Sequence, residues 1–85
     1  MKCDLISPEN SYLIDDTQYI QVPGSKGSFG ILQKHAPIVS SLEPGIVRVI
    51  RNDGAELLFN IPAGGFVEVN EDVVTIIAES LTQTF

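Results

Sequence analysis

Short apolar runs rich in β-branched residues punctuate this chain, and Gly or Pro bounds most of them. The runs lack the three-to-four-residue recurrence of an amphipathic helix and suit half-buried strands. The clearest pair is residues 46–51 and Glu56–Ile61, joined through Asn52-Asp53-Gly54. Asp-Gly between two such runs predicts a hairpin, because Gly supplies the positive φ that the turn needs. On the return strand Leu57, Phe59 and Ile61 share one face, opposite Glu56, Leu58 and Asn60. A second hairpin is predicted from residues 66–69, a turn at Asn70-Glu71-Asp72, and a return over Val73–Ala78. Val73-Val74 and Ile76-Ile77 put apolar groups on both faces, which predicts a central strand. Residues 2–7, 12–14 and 18–22, with Phe29–Leu32 and Ile38–Leu42, add further strands. About nine closely spaced strands predict one all-β domain, a sandwich or flattened barrel. Residues 82–85 read as a tail.

Composition narrows the class. The chain has 85 residues, long enough for one hydrophobic core and too short for two. It is 44% hydrophobic and 19% charged, which separates it from disordered segments. Five Lys and Arg face eleven Asp and Glu, for a formal charge of -6. Nucleic acid and anionic headgroups both call for clustered basic side chains, so neither is an expected partner. No apolar run approaches the roughly 20 residues of a membrane-spanning helix. Met1-Lys2-Cys3 leads straight to Asp4, without the apolar region of a signal peptide, so a cytoplasmic protein is expected. One Cys and one His can build neither an intrachain disulfide nor a structural zinc site.

Candidate chemistry is sparse. Residues 23–30, Pro-Gly-Ser-Lys-Gly-Ser-Phe-Gly, invite comparison with a phosphate loop. In such loops the Lys follows the last Gly and opens a helix, whereas Lys26 precedes Gly27 and a strand pattern follows. A turn-rich connection between strands is the better reading. Cys3 and His35 could form a thiol–imidazole pair, but no third group orients them. Cys3 alternates with Leu5 and reads as a small buried thiol. His35 precedes Ala36-Pro37, at a corner where its ring can bind loop carbonyls. The adjacent carboxylates Asp15-Asp16 and Glu71-Asp72 lack the alternating oxygen ligands and central Gly of a calcium loop, and read as solvated turn residues. No catalytic residue, cofactor site or metal site is expected.

The string at residues 27–45, GSFGILQKHAPIVSSLEPG, is more specific. It resembles the N-terminal β domain of the epsilon subunit of F-type ATP synthases, called delta in mitochondria. The matching positions are Gly27, Gly30, Ile31, Leu32, His35, Ala36, Pro37, Ile38, Ser40, Leu42 and Gly45. Ser7-Pro8-Glu9, Val22-Pro23-Gly24, the stretch from Gly64 to Val69 and that from Val73 to Glu79 agree in colinear order. The resemblance implies a ten-stranded sandwich of two five-stranded sheets, with no catalytic activity. It implies a rotor subunit of the central stalk, coupling the gamma subunit to the membrane c-ring during ATP synthesis. It would be peripheral to the membrane through that complex, on the cytoplasmic face of the bacterial inner membrane, with no small-molecule substrate. The expected ring-facing residues are Ser28, Phe29, Gly30, Ile31, His35, Ala36 and Pro37. The expected gamma-facing residues are Ile38, Val39, Ser40, Ser41, Leu42 and Glu43, together with the later strands.

Three departures stand out. The family usually has Pro-Gly before the His, where this chain has Gln33-Lys34. Many members carry an acidic residue where this chain has Ser28. Bacterial members usually continue into a C-terminal helical hairpin with an inhibitory arm, and this sequence stops at Phe85, so a short form without that arm is expected. The rival readings are a stand-alone β-sandwich binding or interaction module, and a small enzyme built on Cys3 or His35.

Overall fold

The computed structural model describes residues 1–85. Ten strands follow in chain order: β1 Lys2–Ile6, β2 Ser11–Ile14, β3 Thr17–Val22, β4 Phe29–Leu32, β5 Ile38–Leu42, β6 Gly45–Arg51, β7 Glu56–Ile61, β8 Gly65–Asn70, β9 Val73–Ala78 and β10 Thr82–Gln83. They form two five-stranded sheets, ordered β2-β1-β9-β8-β5 and β10-β7-β6-β3-β4. The fold is therefore the expected all-β sandwich.

Both predicted hairpins form. Between β6 and β7, Gly54 adopts φ 90° and donates its N–H to the Arg51 carbonyl at 2.9 Å. Asp53 Oδ1 accepts the Ala55 N–H at 2.9 Å and closes the turn. Between β8 and β9 only Glu71 and Asp72 lie in the connection, at φ 50° and 64°. Two successive positive φ values match the twist of the flanking strands, as in a type I′ turn. Strand β9 is central, as its two apolar faces predict, and it pairs parallel with β1 on its other side.

Strand alternation builds the core. Seventeen hydrophobic residues form one buried cluster, among them Cys3, Leu5, Ile20, Val49, Phe59 and Ile76. Tyr12 tilts against Phe59 across the sheets, with ring centroids 5.0 Å apart, a geometry that adds to their area burial. Buried polar groups are satisfied: Thr17 Oγ1 donates to the Ile14 carbonyl at 3.1 Å.

Two expectations need correction. Residues 82–85 are not a loose tail, because Thr82 and Gln83 pair with Asn60 and Phe59 of β7. Leu81, just before them, is buried, and its carbonyl accepts the Asn10 Nδ2 hydrogen at 2.8 Å. The acidic pairs do lie in turns, yet they are not only solvated. Asp16 receives Arg51 Nε on both carboxylate oxygens at 3.1 Å. This hydrogen bond, and then the charge of Asp16, raise the Arg51 guanidinium above its ordinary pKa.

Candidate docking surface

The histidine and the cysteine do not assemble a reactive centre. Cys3 is fully buried in β1, and its thiol is pushed up to about 12, first by burial and then by the neighbouring charge of Asp4. A thiol held protonated is a poor nucleophile. His35 Nδ1 lies 2.7 Å from the Ala36 carbonyl and donates to it in the tautomer protonated there. The ring thus binds a loop carbonyl, as the sequence suggested. No group of three or more His, Cys, Asp or Glu side chains is arranged to hold a metal ion. The glycine-rich segment is a turn, in which Gly27, at φ 117°, donates to the Gly24 carbonyl at 3.0 Å. Strand β4 follows it, so no helix N-terminus faces the loop.

What the surface does offer is apolar area. Strands β4 and β5 are consecutive in the chain but lie at the edges of different sheets. Residues 33–37 carry the chain from one sheet to the other. Of the residues assigned to the ring side, Ser28, Gly30, Ala36 and Pro37 are exposed, while Phe29 and His35 are partly covered. Ile31 is completely buried and must be withdrawn from that set, because alternation along β4 turns it into the core. Of the residues assigned to the gamma side, Val39 is 71% exposed, Ser41 and Glu43 are exposed, and Ile38 and Ser40 are half-buried. Leu42 is withdrawn for the same reason as Ile31, since it faces the core at 5% exposure.

The register of the first sheet picks out the exposed residues of the later strands and adds Ile6 of β1, which sequence reasoning missed. Ser41 stands opposite Phe66, Phe66 opposite Ile77, and Ile77 opposite Ile6. Phe66 is 58% exposed, Ile77 54% and Ile6 37%, so the three form an apolar row across the outer face. Directly opposed side chains on one face of a sheet touch. Beside this row lies an open groove of about 760 Å³, with Ser25, Glu43, Ala63, Gly65 and Glu79 in its walls. Gly65 admits no side chain there, because a Cβ would overlap the Ile77 carbonyl oxygen. The signal was present in the sequence: Phe66 and Ile77 fall out of phase with Val67, Val69, Val74 and Ile76, which fill the core.

Comparison with known proteins identifies the family. The family described as ATP synthase, Delta/Epsilon chain, beta-sandwich domain matches residues 1–84. Similar curated proteins are each called ATP synthase epsilon chain. That of Campylobacter hominis is 40% identical over 75 residues, covering 88% of this chain and 58% of its own. That of Chromohalobacter salexigens is 38% identical over 82 residues, covering 96% and 57%. The chain thus spans little more than half the length of these relatives. Among solved structures, a chain of the Euglena gracilis mitochondrial ATP synthase, OSCP/F1/c-ring, superposes with a TM-score of 0.86 at 28% identity, covering 95% of this chain and 51% of that one. A chain of the Tetrahymena thermophila mitochondrial ATP synthase central stalk/c-ring has the same fold, with a TM-score of 0.79 at 21% identity over 96% of this chain and 65% of that one. Motif order, two-sheet topology and a family match over all but the last residue agree, and the chain belongs to the ATP synthase delta/epsilon β-sandwich family.

Proposed function

We propose that this chain is a non-catalytic rotor component of an F-type proton-translocating ATP synthase, joining the gamma subunit to the membrane c-ring. The observation that carries this reading is the apolar row Ile6–Ile77–Phe66, which meets Ser41 on β5, with Val39 exposed two residues along that strand, on the outside of a close-packed sandwich. Exposed apolar surface of this kind, rimmed by polar residues, is characteristic of docking sites. The gamma subunit is its occupant in this reading. The c-ring takes the exposed residues of segment 28–37, at the edge where the chain changes sheets. Similarity to epsilon chains and to a chain of a c-ring-containing assembly supports partners within an ATP synthase.

The mechanism is mechanical. Two sheets interlocked through a close-packed core resist shear, because such interiors have little free volume and low compressibility. A load applied at residues 28–37 is carried through the core to the outer face of the first sheet. Torque from the ring thereby reaches gamma, while ATP is made elsewhere in the assembly. No step forms or breaks a bond on this chain. Ser28 brings no charge to the ring side, so contact there goes through its hydroxyl, the exposed Leu32 and Lys34, and the apolar corner Ala36-Pro37. The complex places the subunit peripherally on the cytoplasmic face of a bacterial inner membrane.

Mixing the purified chain with the gamma subunit tests the reading. A stable complex at micromolar concentration is expected, and failure to form one there would overturn it.

A further inference from the structure

The link between β4 and β5 contains a left-handed residue that is not glycine. Lys34 has φ 62°, a region disfavoured for any residue with a Cβ. It is the second central residue of a turn closed by the His35 N–H, which donates to the Leu32 carbonyl at 3.2 Å. Gln33, the first central residue, is not among the positive-φ residues. This is the pattern of a type II turn, which favours Pro at its first central position and Gly at its second. Gln33-Lys34 meets neither preference.

A residue remote in sequence meets the exposed side of this turn. Asp72 Oδ1 accepts the Lys34 N–H at 2.9 Å across 38 positions. Asp72 is itself anchored, because it sits in the two-residue turn between β8 and β9 and its carbonyl accepts the Lys2 N–H at 3.1 Å. The contact also crosses between sheets: β4 belongs to one, and the β8–β9 turn belongs to the other.

We infer that Asp72 is a positioning residue, whose carboxylate holds the turn at Leu32–His35 in one shape and ties the end of β4 to the opposite sheet. In doing so it offsets the cost of a left-handed backbone at a residue that is not glycine. Residues 35–37 are then presented preformed to the partner, a clause that rests on the ring-facing assignment above. Preformed loops bind with less ordering cost than mobile ones.

The test reads two quantities on the intact chain. One is hydrogen exchange at the His35 amide, which reports closure of the turn. The other is affinity for a purified gamma–c-ring assembly. Asp72→Ala should speed His35 exchange on the order of tenfold, the effect of one hydrogen bond to a charged acceptor, and weaken binding. Core amides of Ile20 and Val47, on β3 and β6 of the sheet that holds β4, should keep their rates. Asp72→Asn retains an oxygen acceptor without its charge and should fall between the parent and Asp72→Ala in both readouts. Asp72→Ala combined with Lys34→Gly should recover turn closure and affinity, because glycine adopts the left-handed conformation unaided. Unchanged His35 exchange in Asp72→Ala, or no recovery in the double variant, overturns the inference. If exchange responds and affinity does not, the clasp stands, and the assignment of this loop to a partner is overturned.

Discussion

Cys3 and Gly65 test the account at the level of single side chains. The Cys3 thiol is raised from its ordinary 9.0 to about 12, by burial first and then by Asp4. A thiol whose pKa is higher in the folded state binds its proton more tightly there. Its contribution to stability is therefore complete below pH 9 and is lost as pH rises from 9 towards 12. Urea midpoints should fall across that window, and fall less in Cys3→Ala, which starts lower because it leaves a void. At pH 8, iodoacetamide should label Cys3 in urea and leave it untouched in buffer; equal labelling in both would contradict its burial. Gly65→Ala places a methyl against the Ile77 carbonyl and the Ala78 Cα. It should destabilise by about 1–3 kcal/mol in urea titrations, the usual cost of overpacking. Single residues were legible in the sequence where their role is local, as with Gly54 in its turn or Cys3 in its alternating strand. Asp16 with Arg51 and Asp72 with Lys34 meet across 35 and 38 positions, and no local pattern announces such pairs. Ile31 and Leu42 were misassigned because a shared motif marks a segment, whereas the side of a strand is set by parity.

Strands longer than about four residues announced themselves by alternation and by their turns, and β6 to β9 lie within a residue of their predicted limits. Strand β10 did not, since two paired residues are too few to show a period. Its place depends on Leu81, which packs into the core and brings the following residues alongside β7. Leu58 and Phe85 then exchange backbone hydrogen bonds, at 2.8 Å and 3.3 Å. Leu81→Ala should cost about 2–5 kcal/mol, as for a buried leucine elsewhere, and should speed exchange of the Leu58 amide. A change under about 0.5 kcal/mol, the range of ordinary surface substitutions, would mean that the C-terminal strand is not anchored in this way. Strand β9 shows how far pattern reasoning reaches. Apolar residues on both its faces identified a central strand, but only the inner face is covered within this chain. The outer face, with Ile77 beside Phe66, is apolar without an internal neighbour. In the proposed assembly that excess is where a partner docks, and it became visible only when the register joined three strands.

At the scale of the whole molecule, the sandwich places two distinct surfaces on one rigid body. The first is the outer face of the β2-β1-β9-β8-β5 sheet, and the second is the edge formed by β4, residues 33–37 and β5. Family motifs mark the edge residue by residue and the later strands only as segments, which is why the sequence did not single out Phe66 or Ile77 and passed over Ile6. The central claim is that the apolar row is a docking face rather than incidental exposure. Binding of the gamma subunit to Phe66→Asp with Ile77→Asp, compared with Ile46→Asp on the outer face of the other sheet, tests it most directly. All three positions are solvent-exposed, so the variants should fold like the parent. The account predicts that the Phe66/Ile77 variant loses at least about a hundredfold in affinity, the scale of a desolvated hot spot, while Ile46→Asp binds like the parent. Equal affinity in both variants would contradict it.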